Sequence, residues 1–195
     1  MEFQSFPKMP RLSREVIISE KIDGTNAQIL IAANDELFLT TGRAVYQNDE
    51  FSIFAGSRTR WITPADDNAG FARWVVEHAE ELLQLGPGRH FGEWWGQGIQ
   101  RGYGLKEKRF SLFNVSRWSG DSERPSCCHV VPELYRGPFD TNIIELELDL
   151  LRTGGSLAAP GFMRPEGIVV FHTAGNIGFK KTLEKDEQPK SLSGL

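Results

Sequence analysis

Cysteine is nearly absent from this chain: two residues in 195, and they are neighbours, Cys127 and Cys128. Adjacent cysteines rarely bridge each other, and no second pair stands elsewhere to complete a zinc site, which excludes a disulfide framework. His129 follows them, but three soft ligands in a row cannot surround a metal, so these residues read as core or surface. Long apolar runs are missing as well. No stretch approaches the length of a membrane span, and Met1 to Arg14 lack the apolar block of a secretory signal, so a cytoplasmic protein without membrane contact is expected. Nor is there an excess of positive charge: 22 Lys and Arg against 26 Asp and Glu give a net charge of -4, which argues against a general polyanion binder. No repeat, linker or low-complexity block divides the sequence, and its length suits one globular domain with a real core.

Charge is instead local. Arg101, Lys106, Lys108 and Arg109 crowd one short stretch against a single acid, Glu107, and Arg58 and Arg60 form a smaller group. Such runs are usually solvated faces. Here they flank glycine-rich segments and could equally line a groove for phosphates.

Taken in order, Val16 to Ser19 and Asn26 to Ala32 have strand character, and Leu37 to Thr41 predicts a third strand ending at Gly42-Arg43. Tyr46 to Thr63 mixes aromatic and polar residues without a clear period. Asp67 or Asn68 can cap a helix through Phe71, Trp74, Val75, Ala79, Leu82 and Leu83, stopped by Gly86-Pro87-Gly88. His90 to Trp95 and Arg109 to Val115 read as strands around a flexible loop, Gly96 to Gly104. Thr141 to Arg152 alternates like a strand in Ile144, Leu146, Leu148 and Leu150, yet fits a helix in Ile143, Leu146, Leu150 and Leu151. Asn142 with Glu145 resembles a capping box and Gly154 a stop, so helix is preferred. Gly167 to His172 and Ile177 to Thr182 predict a hairpin, and Glu184 to Leu195 a polar tail. The sum is an α+β fold, mainly antiparallel sheets flanked by a few helices.

The stretch Glu20-Lys21-Ile22-Asp23-Gly24-Thr25-Asn26 carries the chemistry. Residues two apart in an extended segment point to one side, so Lys21 and Asp23 could face one cavity if the strand persists that far, with Gly24 turning the chain. A Lys-x-Asp-Gly run also suits an exposed hairpin turn. Downstream stretches shift the balance: Gly42-Arg43, Phe91-Gly92-Glu93, Pro165-Glu166-Gly167-Ile168-Val169-Val170 and Gly178-Phe179-Lys180-Lys181 follow in that order.

This order resembles the covalent nucleotidyltransferase superfamily of polynucleotide ligases and messenger-RNA capping enzymes. Asn26, the Phe91-Gly92-Glu93 block and the stretch from Gly161 to Val170 look most like its RNA ligase family. The resemblance spans Val16 to Thr182, with no counterpart for Tyr46 to Ala69. It implies an ATP-grasp-like nucleotidyltransferase domain over residues 1–183, with ATP as AMP donor and Mg2+ or Mn2+ as the metal. Lys21 would be the nucleophile, with Asp23, Lys180 and Lys181 in the catalytic set. Glu20 would address the adenine edge through its backbone carbonyl, Glu93 the ribose, and Arg43 and the two lysines the nucleotide and its phosphates. Phe113, or failing that Phe110, would stack on adenine, and Glu166 and Asp23 would help hold metal. RNA ends, or alternatively DNA ends, would lie along Arg58, Arg60, Arg101, Lys106 and Lys108.

Two departures from the family pattern stand out. Its basic strand shows two lysines separated by one residue, whereas Lys180 and Lys181 are adjacent and Thr182 takes the second place, so which lysine meets the α-phosphate is open. Only a short tail follows Thr182, so a ligase reduced to its nucleotidyltransferase domain is expected. A DNA ligase, or a noncatalytic nucleic-acid-binding module of the same fold, are the alternatives.

Overall fold

The computed structural model describes residues 2–35, 43–119 and 124–184. In chain order its strands are β1 (Glu15–Lys21), β2 (Thr25–Ala33), β3 (Tyr46–Gln47), β4 (Phe51–Ser57), β5 (Trp61–Ile62), β6 (Gly88–Gly96), β7 (Lys108–Leu112), β8 (Cys128–Val130), β9 (Glu133–Pro138), β10 (Gly167–His172) and β11 (Ile177–Thr182). The helices are α1 (Phe71–Glu77), α2 (Ala79–Leu82), α3 (Val115–Trp118) and α4 (Thr141–Gly154). They are distributed over two compact units, one made of Met1–Lys21 with Pro132–Leu195 and the other of Ile22–Val131. The lysine stretch therefore straddles a unit boundary in the sequence, between Lys21 and Ile22.

The first unit is a four-stranded antiparallel sheet in the order β11-β10-β1-β9, with α4 on one face. Because side chains alternate across a strand, Val16 and Ile18 of β1 and Ile168 and Val170 of β10 share that face, where they pack with Leu148 and Leu151 of α4. Burying each such leucine contributes about 2 kcal/mol. Helix wins over the strand pattern in 141–152, but its inward face differs from the expected one: Leu148 and Leu151 are buried, while Leu146 and Leu150 stay about half exposed. Its cap also differs. The Asp140 side chain, not that of Asn142, accepts from a backbone N–H, that of Asn142 itself.

The second unit is a larger sheet in the order β3-β4-β2-β6-β7-β8, with β5 paired to β4. It is mixed, because β8 runs parallel to β7. One face carries Ala27, Ile29, Ile31, Ile53, Ala55, Trp94, Phe110 and Leu112 under Phe71, Val75 and Leu82 of α1 and α2. The unassigned stretch 46–63 holds β3, β4 and β5. Its strands escaped notice because Ser52 to Gly56 are buried on both faces and so show no alternation of polarity. The predicted long helix is interrupted at His78, whose φ of -113° ends α1, and Asp67 still serves its first turn by accepting from Ala72 N. The strand expected to run to Val115 stops at Leu112, where Asn114 caps α3. The segment 96–104 is anchored by buried Ile99 and Tyr103 and is not the flexible loop its glycines suggested. The strand predicted at Leu37 to Thr41 lies outside the described residues. No helix among those described is long and apolar enough to cross a membrane.

Candidate active site

In the first unit, strand alternation sorts the site residues. Ile17, Ser19 and Lys21 leave β1 on the face opposite α4, and the register places Lys21 against Gly167 and Ser19 against Val169. Lys180 faces Val169 across β10 and β11, so it shares the face of Lys21; Lys181 faces Ile168 and leaves on the α4 side. There Lys181 forms an ion pair with Glu145 of α4, whereas Lys180 is exposed and has no ionic partner among the described residues. The adjacent lysines are thus separated by the sheet, and Thr182 sits on the Lys21 face.

Glu166 immediately precedes β10. Its Oε2 accepts from Lys21 Nζ at 2.6 Å, with the carboxylate side chain only 4% exposed and the lysine 19% exposed. This holds the amine at the end of its strand and keeps an acceptor for its proton in contact with it.

Glu20 points the other way, into the α4 side, and is 1% exposed. Its carboxylate accepts from Ser156 Oγ at 2.5 Å, Leu157 N at 2.8 Å and Ala158 N at 2.9 Å. Burial pushes this carboxyl above its usual range, against the opposing pull of the three hydrogen bonds. The family resemblance implies only a backbone role for Glu20, and its side chain is a buried structural acceptor.

In the second unit, β1 has already ended, so the two-residue periodicity does not carry through to Asp23. Asp23 is held from the glycine-rich segment instead: its N–H donates to Tyr103 Oη at 2.8 Å, and its Oδ2 accepts from Arg101 Nε at 3.0 Å. Tyr103 in turn stands edge-on to Trp95, with centroids 4.9 Å apart. Gly24 is required by close approach, not by a turn. A Cβ there would lie 2.5 Å from the Trp94 carbonyl oxygen and 2.7 Å from Trp95 Cβ.

Glu93 and Asn26 are direct partners across β6 and β2. Glu93 is 7% exposed, and its two oxygens accept from Gly24 N at 3.0 Å and Asn26 Nδ2 at 2.9 Å. These bonds orient Glu93 on the sheet face that also carries Phe113. Phe113 extends the β6–β7 register by one pair, its N–H donating to Phe91 O at 3.0 Å, and its ring is 41% exposed. Phe110 is fully buried against Phe71 and Trp74 and cannot meet a ligand. Of the two aromatic candidates, Phe113 is the one open to stacking.

The remaining basic residues are dispersed. Arg43 is exposed in the irregular segment before β3. Arg60 pairs with Asp66, Lys108 donates to the Ala69 carbonyl, and Arg101 serves Asp23, while Arg58 and Lys106 are exposed. Three of the five residues expected along nucleic acid thus have partners within the protein. Tyr103 was missed altogether; it stands 80 positions from Asp23, and only the glycines around it marked the segment.

Chemically, the first unit offers an amine in contact with a carboxylate, with a second cation on the same sheet face. The second offers an oriented buried acid and an exposed ring. No cluster of three His, Cys, Asp or Glu side chains that could hold a metal exists among the described residues.

A family model described as RNA ligase matches residues 14–184. No curated protein gives a significant match to the sequence. Among solved structures, a ligand-free mutant of Naegleria gruberi RNA ligase superposes with a TM-score of 0.60 at 20% identity, covering 87% of this chain and 50% of that one. A mutant of that ligase with ATP and Mn gives 0.57 at 19% identity, covering 86% and 48%. Another, with AMP and Mn, gives 0.58 at 19%, covering 88% and 50%. At such identity the likeness is one of fold, and the chain spans about half the length of these ligases.

Proposed function

Because this chain belongs to the RNA ligase family, we propose that it is an ATP-dependent RNA ligase whose residues 1–183 form an ATP-grasp-like adenylyltransferase domain. The observation that carries this reading is the Lys21–Glu166 contact at 2.6 Å, on a sheet face shared with Lys180. One ammonium proton passes to Glu166 and the neutral Lys21 Nζ attacks the α-phosphorus of ATP; a P–N bond forms, the P–O bond to pyrophosphate breaks, and the second nitrogen proton leaves to water. Charge developing on the phosphate oxygens is met by Lys180, preorganised by its strand. AMP then moves from Lys21 to an RNA 5′-phosphate, and a 3′-hydroxyl displaces it to seal the strand.

Phe113 stacks on adenine, Glu93 bonds the ribose, and Arg43 contacts the nucleotide. Asp23, tied by Arg101 and Tyr103, fixes the backbone that follows the nucleophile. The nearly buried Glu166 carboxylate suits Mg2+ or Mn2+, which bind through one or two carboxylates with substrate phosphates. Glu166 in the first unit or Asp23 in the second would offer it a carboxylate, and it would supply neutralising charge to the phosphates. The ATP and Mn in the Naegleria gruberi ligase structures support the same pairing of nucleotide and cation.

The test is an incubation with a divalent cation and labelled ATP or GTP. A covalent adduct that survives denaturation and alkali but is released by acid is expected with ATP and not with GTP, and none in Lys21→Ala. A folded, AMP-free preparation that takes no label overturns the reading. Sealing of DNA nicks but not of RNA ends would change the acceptor and leave the adduct chemistry in place.

A further inference from the structure

The face of the second unit's sheet that points away from α1 and α2 carries one continuous row across five strands. Trp61 pairs with Gly56, Gly56 with Gln28, Gln28 with Phe91, and Phe91 with Phe113. Strands are spaced about 4.8 Å apart, so the row is about 19 Å long. Its relief is uneven. Phe91 and Phe113 stand out, at 52% and 41% exposed, while the middle is kept low. Gly56 leaves room for Gln28 to lie flat on it, since a Cβ at Gly56 would come within 2.7 Å of Gln28 Cγ. Gln28 is fastened there by bonds to Ser57 O and from Arg89. Arg89, one row along, places its guanidinium 5.3 Å from the centre of the Trp61 ring, and Arg58 is exposed in the turn between β4 and β5.

Two exposed phenylalanine rings at one end of the row, a half-buried tryptophan at the other, a trough between them and arginines beside it have the chemistry of a base-stacking track. Bases stack on rings of any sequence, and the guanidinium groups of Arg89 and Arg58 complement the phosphates between them. Half-exposed Phe91 lies on the face opposite the cluster packed under α1 and α2.

We propose that the row from Phe91 to Trp61 binds a single-stranded segment of the polynucleotide substrate, running away from the nucleotide stacked on Phe113. The reference to Phe113 rests on the ligase reading above; the stacking track itself does not. Bases in an intact duplex are not free to stack on protein, so the substrate is a single-stranded end and not a nick in a duplex.

Fluorescence anisotropy at fixed salt with a labelled single-stranded RNA dodecamer, and with a blunt RNA duplex of the same sequence, tests this. The wild type is expected to bind the single strand more tightly. Phe91→Ala and Arg89→Ala each weaken single-strand binding about tenfold and leave Lys21 labelling by ATP unchanged, and Phe91→Tyr retains wild-type affinity. Both positions are exposed, so circular dichroism should show intact folding. Unchanged single-strand affinity in Phe91→Ala overturns the proposal, as does duplex binding equal to single-strand binding in the wild type. A wild type that binds single strands through Phe91 but takes no AMP label overturns the ligase reading and leaves the track standing.

Discussion

Lys21 and Glu166 are 145 positions apart in the chain and 2.6 Å apart in space. The pair predicts two separable effects. Lys21→Ala abolishes the adduct and also strips a nearly buried carboxylate of its cation, at a cost of about 2 kcal/mol, or about 4–8 °C in the melting midpoint of a chain of this size. Lys21→Arg keeps the charge pair and so most of the stability, yet forms no adduct. Melting curves and ATP labelling on the same samples check this; an arginine variant as unstable as the alanine one would contradict it.

Lys180 and Lys181 are expected to differ sharply. Lys180→Ala, on the Lys21 face, should slow adduct formation by about a hundredfold, the order found when one charge-stabilising group is removed. Lys181→Ala removes only a surface pair with Glu145, costing less than about 0.5 kcal/mol, and should change the rate by less than about threefold. Single-turnover labelling decides, and the reverse ranking would refute the face assignment.

How far these residues were legible in sequence depends on the distance over which their cause acts. Lys21, Glu93 and Glu166 could be picked out because each sits in a short motif, two at strand ends and Glu93 within β6, and the motifs keep their order. The choice between Lys180 and Lys181 needed the register with β10, which no local pattern supplies. Arg101 and Tyr103 act on Asp23 from 78 and 80 positions away, and a basic residue among glycines reads as a nucleic-acid contact until its partner is seen. The strands in 46–63 were hidden because burial on both faces removes the alternation that betrays a strand. The helix 141–152 was recognised, but its inward face was misjudged, since Leu146, Leu148, Leu150 and Leu151 are equivalent in hydrophobicity and only packing chooses among them.

Glu20 predicts a dependence of stability on pH. Its carboxyl is raised above the ordinary value, first by burial, so the folded state holds this proton more tightly than the unfolded chain. The stability linked to that proton is present below the ordinary carboxylate range and is lost as pH rises through the raised folded value. Glu20→Gln carries a neutral side chain of the same shape and has no such term. The stability of wild type relative to Glu20→Gln should therefore fall as pH rises from the ordinary carboxylate range upward, as read from denaturant midpoints at several pH values. A difference that grows with pH would sink the assignment. Glu20→Ala, which leaves the buried Ser156 hydroxyl and two backbone N–H groups without their acceptor, should cost about 3 kcal/mol within the ordinary carboxylate range and less as pH rises.

Arg101 and Lys106 lie in one basic stretch but should answer to different measurements. Arg101 holds Asp23 Oδ2 at 3.0 Å and is itself only 26% exposed, so Arg101→Ala loosens the segment behind Lys21. It is expected to slow ATP labelling about tenfold while leaving the salt dependence of RNA binding near that of wild type, because no exposed cation has been removed from the surface. Lys106 is exposed and has no ionic partner among the described residues. If it meets a phosphate, Lys106→Ala leaves labelling intact and lowers the slope of log affinity against log salt by about one. Titrating RNA at several salt concentrations separates the two roles, and a changed slope in Arg101→Ala with normal labelling would return that arginine to the nucleic-acid surface where its sequence context first placed it.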